Sequence, residues 1–133
     1  MTMVDVLTDE YRAGLSRGEL LLQRCQDCGR LNMYPKFVCP FCQSEDLGWQ
    51  RSAGRGVVRS FTISRIGAPA GFEEELPYAL AVVRLEEDVQ LLGRLVADAD
   101  GDWLGYSCDT EVEFVAEGAT AENARPIAWF RRR

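Results

Sequence analysis

Four cysteines fall in two pairs of identical spacing, Cys25-x-x-Cys28 and Cys39-x-x-Cys42, with ten residues between the pairs. Four thiolates delivered from two short turns are what a tetrahedral ion takes, so the motif reads as one metal site. Gly29, directly after the first pair, permits the left-handed turn by which the N–H groups of a knuckle point at sulfur. Pro40, inside the second pair, sets φ where the second turn begins. Redox chemistry is the competing reading, but it needs only one Cys-x-x-Cys pair, usually opening a helix in a βαβ unit, and the sequence contains no such unit.

Zinc is the expected ion, with iron in a rubredoxin-like centre as the alternative, because the same ligands serve both. Four protein ligands leave no position for water, so the ion is expected to be structural and not catalytic. The rest of the chain offers little catalytic equipment. It has no histidine, which removes Ser-His-Asp and Cys-His arrangements and the imidazole general base. Cys108, between Ser107 and Asp109, is a thiol without an imidazole and reads as a small core or rim residue. The acidic groups Glu73-Glu74-Glu75, Glu86-Glu87-Asp88 and Asp98-x-Asp100-x-Asp102 read as solvated turns. The last starts like a calcium loop but lacks flanking helices, and its twelfth position is Asp109 instead of glutamate. Gly54-Arg55-Gly56 has neither the preceding strand nor the Gly-Lys-Ser/Thr ending of a phosphate loop. Fourteen arginines stand against the single Lys36, and Arg59, Arg65 and Arg94 are those that can meet phosphate through a planar fork.

The elements that position these residues follow from pattern. A helix is expected near residues 8 to 17, with Thr8 as N-cap, Asp9 and Glu10 in the first turn and Gly18 just past the end. Leu7, Tyr11 and Leu15 form one stripe on it, expected to pack on the protein's own body. Residues 19 to 24 run extended into the first cysteine pair, and Gly48, Gly54 and Gly56 mark a boundary after the second. Five strands are then expected: Val57 to Ser64, Tyr78 to Leu85, Val89 to Val96, Glu111 to Val115 and Ile127 to Arg131. Five short strands with a tight Glu86-Glu87-Asp88 turn fit a small barrel, of the OB or the SH3 type. The connection from Arg65 to Pro77 is long for so small a body, which points to a functional or a disordered loop.

The chain's 133 residues, 47% hydrophobic and 27% charged, suit one ordinary domain or a small domain with a metal-stapled appendage, here divided as 1–50 and 51–133. Five basic and seven acidic residues in 1–50 give −2, and ten basic and fourteen acidic in 51–133 give −4, which argues against a nucleic-acid backbone as the main partner. No apolar run reaches membrane-spanning length, no secretory start is visible, and the cysteine usage fits a reducing compartment, so the chain reads as cytoplasmic.

Taken in order, several motifs resemble a family of small acyl-CoA-associated proteins, long labelled a domain of unknown function, in which a rubredoxin-like zinc ribbon precedes an OB-fold. They are Gly18-Glu19-Leu20, Arg24-Cys25-x-x-Cys28-Gly29, Tyr34-Pro35, Cys39-Pro40-x-Cys42 with Ser44, and Gly54-x-Gly56-Val57-Val58 with Ser60-Phe61-Thr62. Pro77-Tyr78-Ala79-Leu80-Ala81-Val82-Val83-x-Leu85 and Pro126-Ile127-x-x-Phe130 complete the set. The chain departs from the pattern at Tyr11-Arg12, where an apolar pair is common, and in an insert from Ala116 to Arg125. The resemblance implies a mainly β protein: a short helix, a ribbon with Cys25, Cys28, Cys39 and Cys42 on zinc, then a five-stranded OB-type barrel. It implies a non-catalytic companion of thiolase-like or aldolase enzymes or of MaoC-like hydratases, acting on CoA thioesters in lipid or steroid side-chain breakdown. Tyr34, Phe37, Phe72 and Arg65 are the candidates for CoA or partner contact, since exposed aromatics and arginine anchor interfaces. Two readings compete: a single-stranded nucleic-acid binder, which needs a basic groove, and a rubredoxin-like electron carrier, which leaves the barrel without a role.

Overall fold

The computed structural model of the chain describes residues 3–116 and 127–133, with the side chains of the first helix described from Leu7 on. Of the insert expected over 116–125, residues 117–125 lie outside the described residues. Helix α1 spans Met3–Ser16. Thr8 is therefore inside the helix and not its N-cap. Threonine costs only a few tenths of a kcal/mol in a helix interior, roughly, and the docking of the apolar stripe outweighs it: Tyr11 and Leu15 are buried at 2% and 4% exposure. The end of α1 is as expected. Gly18 has φ +78°, its N–H bonds to Leu15 O (3.0 Å), and the Glu19 N–H reaches Gly14 O (2.8 Å). This is a Schellman cap, which needs a left-handed residue at that position.

The ribbon is a three-stranded antiparallel sheet of β1 (Leu21–Cys25), β2 (Leu31–Asn32) and β3 (Leu47–Arg51), with β1 in the centre. Gly48 lies within β3 opposite Arg24, so it belongs to a strand of the ribbon and not to a turn. A short linker leads from β3 into the barrel, and the Glu87 carboxylate fastens it, accepting from the Ser52 hydroxyl (3.0 Å) and the Ala53 N–H (2.8 Å).

The barrel consists of β4 (Arg55–Ser64), β5 (Tyr78–Leu85), β6 (Gln90–Leu95), β7 (Glu111–Val115) and β8 (Ala128–Arg132), closed in the order β4-β5-β6-β8-β7. Only β6 with β8 is parallel among these pairs. Strand β4 is long enough to pair with both β5 and β7, and it turns between them at a register shift from Val58 to Ser60, the bend a bulge supplies. Gly93 is required where β8 closes on β6, since a Cβ there would sit 2.7 Å from Ala128 O and 2.9 Å from the Phe130 ring. Tyr11, Leu15, Leu20 and Leu22 join Val58, Val83, Leu95, Val112 and Phe130 in a single buried cluster. Helix, ribbon and barrel thus share one core, each fully buried large side chain contributing about 1.5–3 kcal/mol.

Candidate functional site

The four sulfurs of Cys25, Cys28, Cys39 and Cys42 all lie within 4.8 Å of one another. Both knuckles use the same local geometry. Gly29 (φ +75°) donates its N–H to Cys25 O at 2.9 Å, and Gln43 (φ +64°) does the same to Cys39 O at 2.9 Å. Cys28 N–H and Phe41 N–H each point at a sulfur, Cys25 Sγ and Cys39 Sγ, at 3.4 Å. Ser44 ties the two turns together: its hydroxyl donates to the Asp27 carboxylate, and its carbonyl accepts the Cys39 N–H at 2.8 Å. On β1, buried Gln23 fixes the approach to the second knuckle. Its amide oxygen accepts from Lys36 N–H (2.8 Å) and Asn32 (2.6 Å), and its amide nitrogen donates to Lys36 O (2.9 Å).

This cluster fits a tetrahedral cation. Sulfurs about 2.3 Å from a zinc ion stand about 3.8 Å apart in a regular tetrahedron, whereas a disulfide would bring them to about 2.05 Å. The observed separations are 3.5 Å for Cys25–Cys42 and 3.6 Å for Cys28–Cys39. Packed this closely, the four thiols also perturb one another's ionisation. The Cys28 N–H helps push the Cys25 thiol down to about 6. Cys42 is pushed up to about 12, although the Ser44 N–H favours its thiolate, because the Cys25 sulfur competes for the charge. One cation among the four removes that conflict.

The proposed contact residues are dispersed. Phe37 is 54% exposed, in an apolar stretch with Val38 and Phe41 at 41% and 53%. Arg30 stacks on the Phe41 ring, its guanidinium carbon 4.7 Å from the centroid. Arg65 is exposed at the start of the long connection. Tyr34 is held in place by its hydroxyl, which accepts the Leu92 N–H at 2.9 Å and donates to Leu92 O at 3.2 Å. Pairing of β6 with β8 begins at Gly93, so Tyr34 takes up the strand edge next to that ladder and latches ribbon to barrel. Its ring also meets Tyr11 edge-on at 6.4 Å. Phe72, half-buried, shares a cleft of about 260 Å³ with Tyr34, beside Leu92 and Arg94.

Arg94 is the residue whose surroundings sequence reasoning missed, although it was among the arginines singled out. It is 2% exposed, bonds through Nη1 to Glu75 at 2.5 Å, and lies 4.2, 5.3 and 5.5 Å from the ring centroids of Tyr78, Phe72 and Trp129. The long connection covers it, carrying Phe72 and a short 3₁₀ turn, Glu73–Glu75. The other singled-out groups are engaged or exposed. Arg59 pairs with Asp109 at 3.0 Å, Asp98 with Arg132 at 2.9 Å, and Cys108 is exposed.

A rubredoxin-type ribbon joined to a closed five-stranded barrel defines a zinc-ribbon/OB-fold protein. The chain belongs to the ChsH2 family: residues 12–48 match the family's rubredoxin-like zinc ribbon domain and residues 49–117 its C-terminal OB-fold domain. It is 33% identical over 99 residues to a DUF35 domain-containing scaffold protein of Pyrococcus furiosus, covering 74% of this chain and 62% of that one. It is 36% identical over 80 residues to a probable enoyl-CoA hydratase alpha subunit of Thermomonospora curvata, covering 60% of this chain and 24% of that one. A solved structure described as the Ltp2-ChsH2(DUF35) aldolase superposes with a TM-score of 0.77 at 24% identity, covering 99% of this chain and 98% of that chain, a likeness of fold. The chain spans about half (52%) of a further scaffold relative, from Methanocaldococcus jannaschii. No helix among the described residues is long and apolar enough to cross a membrane.

Proposed function

We propose that this chain is a non-catalytic companion subunit of a cytoplasmic acyl-CoA-processing assembly. It docks on a thiolase-like aldolase or a MaoC-like hydratase and acts as a scaffold, in lipid or steroid side-chain degradation. Zinc is the proposed ion, held by Cys25, Cys28, Cys39 and Cys42 as a closed tetrathiolate whose role is to fold the ribbon. The observation that carries the reading is the pairing of that closed, ligand-saturated centre with an exposed apolar stretch at Phe37, Val38 and Phe41, on a body that shares one core from α1 to β8. Exposed aromatics on a rigid support are the anchors of protein interfaces. The scaffold and hydratase-subunit names of relatives, and the aldolase complex among the structural neighbours, support the same class of partner. Tyr34, Phe72 and Arg65, which lie apart from that stretch, are the further residues proposed to reach CoA or the partner.

The mechanism is binding and not turnover. The four thiolates are committed to the ion, and the sequence supplies no imidazole to activate a nucleophile. A turnover assay tests the proposal. The isolated protein should not convert CoA thioesters, and adding it to the partner enzyme should raise that enzyme's activity or thermal midpoint. Robust turnover by the isolated chain would overturn the reading.

A further inference from the structure

We propose that the pocket around Arg94 binds a small oxyanion, a carboxylate or a phosphate, attached to a flat aromatic body. Arg94 is the anchor, and Glu75 is the counter-ion that the ligand displaces. The pocket lies on the outer face of the barrel, has a volume of about 540 Å³, and is walled by Tyr78, Trp103, Trp129, Pro77 and Glu75 around the Arg94 side chain. That volume is in the range of small-molecule sites, and apolar aromatic walls with one charged group are their usual lining.

Arg94 is under-satisfied for so deeply buried a cation. Its described hydrogen bond goes to Glu75 through Nη1, and its Nε, fully buried, has no hydrogen-bond partner among the described residues. A guanidinium grips an oxyanion best along the edge formed by Nε and the neighbouring Nη2, where two parallel N–H groups match two oxygens. Glu75 approaches the other nitrogen and leaves that edge unused. A side chain built only to tie the loop down would be expected to spend its fork on the carboxylate.

The two partners also differ in where they sit. Arg94 sits in the middle of the sheet, paired with Leu80 on β5 and Trp129 on β8, and three aromatic rings fix its guanidinium. Glu75 ends a three-residue 3₁₀ turn in the 65–77 connection, and its side chain is 34% exposed. In the proposal an entering oxyanion meets the cation where it stands on the sheet, and it is the carboxylate, at the rim of the pocket, that gives way. Tyr78 and Trp129 offer faces on which an aromatic body stacks. The inference rests on the barrel's own geometry, so it stands or falls separately from the companion-subunit reading.

Two-dimensional ¹H–¹⁵N NMR of the whole metal-loaded chain reads this pocket through the indole N–H signals of Trp103 and Trp129. Benzoate, phenyl phosphate and neutral benzyl alcohol are the probes, and the first two distinguish carboxylate from phosphate. At least one anion should shift the indole signals saturably, about tenfold more tightly than benzyl alcohol. Glu75→Gln should tighten the anion severalfold and leave benzyl alcohol unchanged, because it removes the competing carboxylate. Arg94→Lys should abolish the preference for anions; if that variant does not fold, the Glu75→Gln comparison decides alone. Equal binding of the neutral probe, no saturable shift with either anion, or an anion affinity unchanged or weakened by Glu75→Gln would overturn the proposal.

Discussion

Replacing Tyr34 by Phe removes a single oxygen from the seam between ribbon and barrel. That oxygen serves both polar groups of Leu92, accepting its N–H at 2.9 Å and donating to its carbonyl at 3.2 Å. A net hydrogen bond is worth about 0.5–1.5 kcal/mol. Tyr34 and Leu92 are 42% and 51% exposed, so water refills the strand edge and each bond counts at the low end of that range. The predicted loss is about 1 kcal/mol, or ~3–6 °C in midpoint for a chain of this size. The ring contact with Tyr11 remains in Tyr34→Phe and is lost in Tyr34→Ala, which should cost ~1 kcal/mol more. Urea unfolding of the metal-loaded variants gives the numbers, and a single transition is expected because ribbon and barrel share one core. A Phe variant as stable as the parent would refute the assignment of the seam to this hydroxyl.

Cys39→Ser should abolish stoichiometric metal and unfold the ribbon, with the barrel's β-type circular dichroism persisting at a lower midpoint because Leu20 and Leu22 leave the common core; elemental analysis and thermal melts check both. Gln43→Gly should raise stability by roughly 0.5 kcal/mol without changing metal content, since a side chain there carries the cost of a left-handed backbone (φ +64°); denaturant midpoints measure it. Gly93→Ala should cost about 1–3 kcal/mol, because the added carbon meets the Ala128 carbonyl and the Phe130 ring at the barrel closure. If the 37–41 stretch is the docking surface, Phe41→Ala should weaken association with the partner by about 1–4 kcal/mol, read by calorimetry, with folding and metal content unchanged.

The barrel was legible in the sequence because its strands bury one face. Tyr78–Leu85 and Glu111–Val115 have the bounds that the sequence pattern gives, and the other three strands differ by one residue at each end or by two at one. The metal cluster was legible because ligand spacing is a local property. The ribbon's β3 was not: Leu47–Arg51 is half-buried along most of its length and contains Gly48, so it carries no alternating signal. The start of α1 was misread because Thr8 and the acidic pair after it imitate a cap inside a longer helix. Arg94 shows the harder case. By period it shares the outward face of β6 with Gln90 and Leu92, which are exposed. Its burial comes from the 65–77 connection folding over it, a tertiary event that strand periodicity does not register. Gln23 likewise looks like a surface residue of β1 until the Lys36 backbone is laid against it.

The central claim is that this chain works by holding another protein. Its most direct test is affinity purification of the tagged chain from its native cell at moderate salt, followed by mass-spectrometric identification of what co-purifies in stoichiometric amount. A thiolase-fold or MaoC-like enzyme acting on CoA thioesters is the predicted result. Recovery of the chain without any stoichiometric protein, or with nucleic acid in its place, would contradict the account.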